Sequence, residues 1–482
     1  MLCKQCGSRI RKQDLRPNGL YKCPGCGKTY RAKRKTNSND KKAGRIAVNR
    51  RNLFLLILVV AAVAAVALLP IFARGGGSDK KADSVIAAAT ATVSAVDAQS
   101  PEPTAEPTPA PTPEPTSTPE PTAEPTPEPT PAPTADPNFT SVHFRAVGDV
   151  MSHKAQLNLA RRSDGSYNYD PQFQFVKEAL SKADYTIANL EMSIAAGNYT
   201  GYPSFRIPES ILGTLKDCGI DMFTMANNHI LDGFFDGLTY TIDKVEEYGF
   251  DHVGAYRTAE EARQPVVVDV NGIKFGFLAY TETINANAKN VGAKNLAFCV
   301  NNLKSANFKS DVQALRDAGA EVVICMPHWG EEGHRIVNAA CRKYAQEMVN
   351  AGVDIILGSH PHMVQPINFG KLDVNGKEKD ILIAWSLGNF ISNQTYPYED
   401  CGIILDFTVA RDERTGEISI HDVGYVPVYV CNTSSYIAVV CSGDYYDNKP
   451  SAMTSQNYSR LRQSVGELAE VIGSDGIAVL QN

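Results

Sequence analysis

The chain has 482 residues and a formal net charge of −6. This length is too great for one ordinary domain and indicates several. The charge is uneven, because residues 1–51 carry 16 Lys and Arg against 2 Asp and Glu. Such a basic N-terminus excludes a uniformly acidic protein, and it could contact nucleic acid or an anionic membrane surface.

Two Cys-x-x-Cys pairs open the chain, at Cys3 and Cys6 and again at Cys23 and Cys26. Four thiolates complete a tetrahedral zinc site, and the glycines beside the pairs permit the tight turns that it needs. We therefore expect a zinc ribbon over residues 1–30, structural in role and dependent on zinc for its fold. The other seven of the eleven cysteines are scattered, which excludes a dense disulfide framework.

A membrane segment is expected next. Residues 31–52 are polar and basic, and Leu53–Ala73 is a run of 21 residues without a charge. At about 1.5 Å per residue, a helix of this length crosses the ~30 Å hydrocarbon core. The basic flank places the N-terminus in the cytoplasm and the rest of the chain outside the cell. The membrane, rather than nucleic acid, is then the expected partner of the basic segment.

Residues 74–138 have the composition of an extended linker. Fifteen of the 28 prolines lie in residues 101–137, within repeated Glu-Pro-Thr and Ala-Pro-Thr units. Such a segment cannot bury a core and favours polyproline II, so we expect it to hold the following domain away from the membrane.

Residues 139–482 alternate apolar runs with amphipathic stretches, the pattern of an α/β domain. The predicted strands are Val142–Val147, Tyr185–Asn189, Met222–Ala226, Val322–Met326, Val353–Leu357, Ile381–Trp385, Gly402–Val409, Ile418–His421 and Gly424–Val430. The predicted helices are Phe234–Tyr248, Lys304–Ala318 and Arg342–Ala351. Asn271-Gly272 between two apolar runs predicts a hairpin with a type I′ turn. Two sheets flanked by helices fit better than one doubly wound parallel sheet.

The apolar runs end in polar side chains of the kind that bind metals. The candidates are Asp149, Glu191, Asn228, His229, Asp232, His328, His360 and His362. Residues beyond the carboxyl ends of strands converge on the ligand site of open α/β sheets. Taken singly, Asp149 could cap a helix and His328 could be a hydrogen-bonded interior histidine. Recurrence after strand upon strand favours one metal site with oxygen and nitrogen ligands.

These motifs carry a family resemblance. In order they are GDVM, NLE, ANNH with DxG, PHWGEE, GSHPHxxQP and SLGNF, and they resemble the CapA family of capsule and poly-γ-glutamate biosynthesis proteins over about residues 141–409. The resemblance implies a calcineurin-like metallophosphatase-type fold, an α/β/β/α sandwich. It also implies a site for one or two divalent ions, which would be Mn, Zn or Fe.

The resemblance implies roles for single residues as well. Asp149 and His362 would bind the first ion, and Glu191 would bridge the two ions. The second ion would have the ligands Asn228, His328 and His360. His229 would protonate the leaving group, with Asp232 fixing its tautomer.

The sequence departs from the phosphatase pattern at Met151, where an Asp-x-His motif usually supplies an imidazole. A thioether is a poor ligand for these metals, so the first ion loses a ligand unless His153 or His334 takes its place. Tyr202, Arg206 and Glu331 are expected in loops that could meet substrate.

The sequence thus predicts a single-pass membrane protein with a cytoplasmic zinc ribbon and an extracellular metallophosphatase-type domain. It would act in the synthesis, export or anchoring of an anionic surface polymer, as a hydrolase or transferase on phosphoester or amide bonds. Membrane-embedded polymer synthase subunits are possible partners. The alternative is a non-catalytic polymer-binding or export scaffold, which Met151 favours. A wall-sensing receptor is a third interpretation, which rests on topology alone.

Overall fold

The computed structural model describes residues 20–22, 29–31, 138–374, 376–431, 437–440, 444–473 and 478–479. The chain divides into two compact units, residues 1–77 and 78–482. In the first unit, β1 (Leu20–Lys22) and β2 (Thr29–Arg31) pair antiparallel, with Leu20 opposite Arg31. The four cysteines of the predicted ribbon, the apolar run 53–73 and the linker up to residue 137 lie outside the described residues.

No helix in the described part of the chain is both long enough and apolar enough to span a bilayer.

The second unit contains a large mixed sheet and a short separate strand pair, β5 (Ser193–Ala195) with β6 (Arg206–Pro208). The strands of the large sheet are β3 (Phe139–Val150), β4 (Tyr185–Leu190), β7 (Met222–Thr224), β8 (Asp251–Val253), β15 (Asn389–Ile391), β16 (Cys401–Asp412), β17 (Ile418–Cys431), β18 (Ile437–Val440) and β19 (Ala478–Val479). Their order is β18-β17-β16-β3-β4-β7-β8, with β15 beside β3 and β19 beside β17. Strands β3, β4, β7 and β8 are mutually parallel, so their carboxyl ends lie at one edge.

A second sheet has six strands. They are β9 (Val266–Val270), β10 (Ile273–Thr281), β11 (Val322–His328), β12 (Ile355–Leu357), β13 (Ile367–Val374) and β14 (Lys377–Ala384), in the order β13-β14-β12-β11-β10-β9. Strands β10, β11, β12 and β14 are parallel. The predicted hairpin joins β9 and β10, and Asn271 and Gly272 both have positive φ, at 50° and 89°, as a type I′ turn requires.

Ten helices are described between the strands. They are α1 (Lys154–Ala160), α2 (Asp170–Phe173), α3 (Lys177–Leu180), α4 (Ser210–Asp217), α5 (Phe234–Glu247), α6 (Ala293–Leu296), α7 (Phe308–Asp317), α8 (Ala339–Ala351), α9 (Asp444–Asp447) and α10 (Ser455–Ile472). Short 3₁₀ turns occupy Glu261–Arg263, Ala286–Asn290 and Leu303–Ser305.

Alternation along the six-stranded sheet separates its two faces. In β11, Val323 and Cys325 pack with residues of α7 and α8, whereas Val322 and Ile324 join the core shared with the larger sheet. In that core the ring of Phe144 lies 4.7 Å from Phe275 of the opposite sheet. Each fully buried phenylalanine contributes roughly 1.5–3 kcal/mol. The predicted pair of packed sheets with helices is therefore present in the described residues.

One strand prediction was wrong. The runs Ile418–His421 and Gly424–Val430 belong to a single strand, β17, whose pairing with β16 shifts register between Asp406 and Thr408. Asp422 lies within β17 with φ 53°. The polar His421-Asp422 pair, which resembles a turn in sequence, is accommodated by this irregularity rather than by a break.

Candidate metal centre

Buried polar side chains gather where the parallel strands of both sheets end. They come from the ends of β3 and β11 and from the segments just after β4, β7 and β12, and each is at most 6% exposed. These residues are Asp149, Glu191, Asn228, His328, His360 and His362. The sequence-predicted ligands therefore lie together, although they are spread over more than 200 residues of chain.

The first of the two potential ligand groups that contain Glu191 also includes Asp149 and His362, with ligand atoms all within 4.8 Å of one another. His362 Nδ1 lies 2.9 Å from Asp149 Oδ2, and His362 Nε2 lies 3.7 Å from Glu191 Oε1. The Asn189 amide donates to Asp149 Oδ1 at 2.8 Å and fixes that carboxylate. Burial lowers the pKa of His362, but the hydrogen bond and the charge of Asp149 outweigh it, so that this pKa is raised above 6.5.

The second group contains Glu191, His328 and His360, also within 4.8 Å. His328 Nε2 lies 3.5 Å from Glu191 Oε1 and 3.0 Å from the Asn228 side-chain oxygen, while its Nδ1 lies 2.9 Å from the Ser359 hydroxyl. When Nδ1 donates to Ser359, the lone pair of Nε2 faces the same space as both oxygens. Such convergent acceptors suit a cation.

Burial keeps the imidazoles of the second group neutral. It lowers the pKa of His360 to about 4, and the neighbouring His362 adds to this effect. The pKa of His328 is also lowered well below its ordinary value, first by burial and then by His360 and His362. Neutral imidazole is the form that binds metal, so this group needs no loss of a histidine proton.

Glu191 belongs to both groups, and it has an exceptional environment. Its Oε1 atom is buried and has no hydrogen-bond partner. Burial, and then the charge of Asp149, raise the pKa of this carboxyl group well above its usual range. Leaving one oxygen of a buried carboxylate without a hydrogen-bond partner is costly, and a cation between these groups would remove that cost.

The backbone carrying the histidine pair is strained. His360 has φ 96° and His362 has φ 57°, values that cost on the order of 1–3 kcal/mol each for residues other than glycine. The loop is held close to the sheet at Gly358, where a Cβ would lie 2.0 Å from the Trp385 carbonyl oxygen. The two imidazoles converge because of this turn and not because of strand alternation, since β12 already ends at Leu357.

A buried histidine–carboxylate pair lies beside the ligand groups. His229 Nδ1 is 2.7 Å from Asp232 Oδ2, and the Phe205 amide donates to the same oxygen at 2.8 Å. The His229 ring packs against the Phe205 ring, with centroids 4.7 Å apart. Asn227 accepts from the His229 amide and donates to Asn189, which connects this pair to the first group.

Neither of the two histidines considered as substitutes at Met151 joins a ligand group among the described residues. Met151 itself is 2% exposed within the core. His153 packs on Phe205, accepts from the Asn393 amide and has its pKa lowered to about 3, first by burial. The His334 side chain is 61% exposed and contacts Glu331.

Sequence reasoning missed several residues of the site. Glu332, and not Glu331, has a carboxylate oxygen within 4.8 Å of the ligand atoms of His360 and His362. No feature of the pair Glu331-Glu332 distinguishes one carboxylate from the other before the loop is folded. Asn189 was part of a recognised motif, but its role as the donor to Asp149 was not predicted, nor was Ser359 as the partner of His328.

The three residues expected in substrate loops have different surroundings. Tyr202 is 69% exposed, and its ring centroid is 6.4 Å from that of His229. Arg206 begins β6 and pairs through its backbone with Thr200. Glu331 is exposed beside His334.

Comparison with known proteins gives a consistent set of relatives. The family model described as bacterial capsule synthesis protein PGA_cap matches residues 143–394. The capsule biosynthesis protein CapA of Bacillus anthracis is 27% identical over 280 residues, which cover 57% of this chain and 65% of that protein. The PGA biosynthesis protein CapA of Bacillus subtilis is 26% identical over 296 residues, 58% of this chain and 72% of that protein. The chain thus spans less than two thirds of the Bacillus anthracis protein.

Two solved structures are also similar. A phosphatase from Mycoplasma pneumoniae aligns with 15% identity and a TM-score of 0.36, over 60% of this chain and 94% of that one. The calcineurin-like phosphoesterase YfkN from Bacillus subtilis aligns with 15% identity and a TM-score of 0.35, over 69% of this chain and 98% of that one.

Proposed function

Because this chain belongs to the bacterial capsule synthesis protein family PGA_cap, we propose that its C-terminal domain is a metal-dependent hydrolase or transferase serving an anionic surface polymer. The polymer would be poly-γ-glutamate or a related capsule material, and the step would lie in its synthesis, export or anchoring. The matched residues 143–394 include both ligand groups and the His229–Asp232 pair.

The unpartnered Oε1 atom of Glu191 is the observation that carries the metal proposal. Two imidazole Nε2 atoms, of His328 and His362, lie 3.5 and 3.7 Å from it. The donor set of carboxylates, imidazoles and one amide oxygen suits Mn, Zn or Fe. Asp149, Glu191 and His362 would hold one ion, and Glu191, Asn228, His328 and His360 would hold the other. Bound divalent ions would supply charge stabilisation at a phosphoryl or acyl oxygen.

His229 is proposed as the general acid. Its Nδ1 atom is fixed by Asp232, which leaves Nε2 to carry a proton. As water or an acceptor group bonds to the phosphorus or carbonyl carbon, the leaving oxygen or nitrogen would take this proton and its own bond to that atom would break. Asp232 is itself held by the Phe205 amide, so the ring cannot turn freely. The residues of this pair are 6% and 3% exposed, which limits competition from water.

The second candidate function is a non-catalytic polymer-binding or export scaffold. The observation that favours it is Met151, which is buried where a ligand imidazole was expected. The first group then has only Asp149, Glu191 and His362 of the predicted set. In this function the domain would bind the polymer without catalysing a reaction.

For the cellular arrangement, we infer a single membrane span at residues 53–73, with the N-terminus in the cytoplasm and the C-terminal domain outside. A zinc ribbon at Cys3, Cys6, Cys23 and Cys26 is part of the same proposal. Both rest on sequence pattern. Labelling of single introduced cysteines in intact cells tests the topology: linker positions should react with an impermeant reagent, and residues 31–52 should not.

Metal analysis of the full-length chain tests the site. The wild type is compared with a His360→Ala/His362→Ala variant, so that zinc in the ribbon is counted equally in both. A difference of one to two ions per chain is expected, and a difference below about 0.2 would exclude the site. Turnover of phosphodiester and γ-glutamyl substrates is measured next. His229→Ala should lower kcat by about 10²–10⁴ with metal content unchanged. Full metal content with no turnover on either class would favour the scaffold.

A further inference from the structure

A cleft of about 430 Å³ lies beside the His229–Asp232 pair. One wall is formed by α1 and the following Arg161, and the other by residues 199–204. Tyr202 lines this cleft, and its ring centroid is also 6.4 Å from that of His229. Tyr202 therefore connects the cleft with the proposed general acid, although neither His229 nor any residue of the ligand groups lines the cleft.

The charge of this cleft is one-sided. Its lining includes Lys154 and Arg161 and no Asp or Glu. A larger cavity of about 660 Å³, on the other sheet, provides the contrast. Its basic residues are Lys309, Arg316, Lys377 and Lys379, and its acidic residues are Glu321, Asp354, Glu378, Asp380 and Glu417. Only the first of these two cavities has a field that attracts anions, because in the second the acidic side chains outnumber the basic ones.

The two cations are spaced along the helix. Lys154 begins α1 and Arg161 directly follows it, so the two residues are seven apart and lie on one face, about 10 Å apart along the axis. Tyr199 and Tyr202 belong to the opposite wall, and Tyr199 packs edge to face with Tyr167, another lining residue, at 5.1 Å. Phosphate groups are usually bound by several converging donors. Single cations at intervals, with phenol rings lining the same cleft, suit single negative charges repeated along a flexible chain.

We propose that this cleft binds a polymer with repeated carboxylate groups and guides it towards His229. The inference rests on the proposed function, because it makes the polymer strand a ligand of the same site. Lys154 and Arg161 would each pair with a carboxylate, and the tyrosine rings would pack on the methylene groups between carboxylates. The two cations would determine affinity for the polymer, and the ligand groups would remain intact without them.

Binding of fluorescein-labelled poly-γ-glutamate to the full-length chain, followed by anisotropy, tests this inference. We compare the wild type with a Lys154→Glu/Arg161→Glu variant. A Lys309→Glu/Lys377→Glu variant is the matched control, since it makes the same change in net charge at exposed residues of the other cavity. The cleft variant should bind at least tenfold more weakly, and the control should stay within twofold of the wild type. Binding to the wild type should also weaken as salt is raised.

Equal losses in the two variants would overturn the proposal, because binding would then depend on overall charge alone. No loss in the cleft variant would overturn it too. Inorganic polyphosphate of equal total charge is the competing ligand, and equal or tighter binding of polyphosphate would exclude a carboxylate-specific cleft. Metal content is measured on every variant. If the cleft variant has normal metal content and binds the polymer as tightly as the wild type, the cleft proposal is wrong and the proposed function stands. If the wild type itself contains no metal, the proposed function is wrong.

Discussion

The two ligand groups share Glu191 but differ in how they are held without metal. In the first, His362 is bound to the Asp149 carboxylate, and its pKa is raised. In the second, burial lowers the pKa of His360 to about 4, and its Nδ1 atom has no hydrogen-bond partner. The histidines of the second group therefore bind a cation without losing a proton, whereas at His362 the raised pKa favours competition between a proton and a cation.

This difference bears on the missing imidazole at Met151. The first group is the one that lacks the expected ligand, and it is also the one in which His362 is hydrogen-bonded to the Asp149 carboxylate. Because two of its ligands already bind each other, the first group is expected to bind a metal ion weakly or in only part of the molecules. The contrast between the groups therefore bears on whether the proposed function involves two ions, one ion or none.

The largest expected effect follows from Glu191→Gln. The substitution removes a charge that both groups share, so both ions should be lost, with affinity for Mn²⁺ falling by more than about 100-fold, beyond the 10–100-fold typical of outer-shell partners. Metal analysis and titration calorimetry on the full-length chain give the result. Glu331→Gln, a surface change of the same kind, is the control. Retention of one tightly bound ion by the Glu191→Gln variant would show that the groups do not share this carboxylate.

The next effect is a pH dependence that separates the groups. His362 must be neutral to bind metal, so affinity of the first group should fall about tenfold per pH unit once pH drops below the raised pKa of His362. His360 stays neutral down to about pH 4. Protonation of Glu191 weakens both groups alike, so His362 sets the difference. Calorimetric Mn²⁺ titrations between pH 8 and pH 5.5 should show the stoichiometry falling from two towards one, and a parallel loss of both ions would contradict the contrast.

The smallest effect is expected at Glu332. Its carboxylate lies near His360 and His362 but is exposed to solvent, so Glu332→Gln should weaken metal binding only several-fold, mainly in the first group. Glu331→Gln changes the adjacent carboxylate, which contacts the exposed His334, and should leave affinity unchanged. Equal effects of the two substitutions would mean that Glu332 acts through general charge and not as a ligand.

Much of the fold follows from local pattern. The strands β4, β7 and β11 and the helix α5 begin at the predicted residues, because apolar period and turn residues are local properties. The error at β17 arose because a polar pair in a long strand resembles a turn, and only pairing with β16 shows that the strand continues. Strand order also lies beyond local pattern, since β14 lies next to β12 while β13, which precedes it in sequence, lies at the edge.

The candidate site, like the fold, could be predicted only in part. Its residue types could be predicted because carboxylates, amides and imidazoles recur after buried strands. Its contacts could not be predicted. His362 and Asp149 are 213 residues apart in sequence and 2.9 Å apart in space, and the choice of Glu332 over Glu331 depends on the path of the loop between β11 and α8.

The sequence by itself determined the α/β class of the C-terminal domain, many of its strands and helices, its family and the residue types of its candidate site. Tertiary structure decided which ligands share a carboxylate, which histidine is bound to a carboxylate and which has its pKa lowered by burial, and which cleft contains Tyr202 near His229. The physical reason is that side-chain chemistry and periodicity are local properties of the chain. Proton affinity and metal fit depend on burial and on charges that only the folded chain brings within a few ångströms.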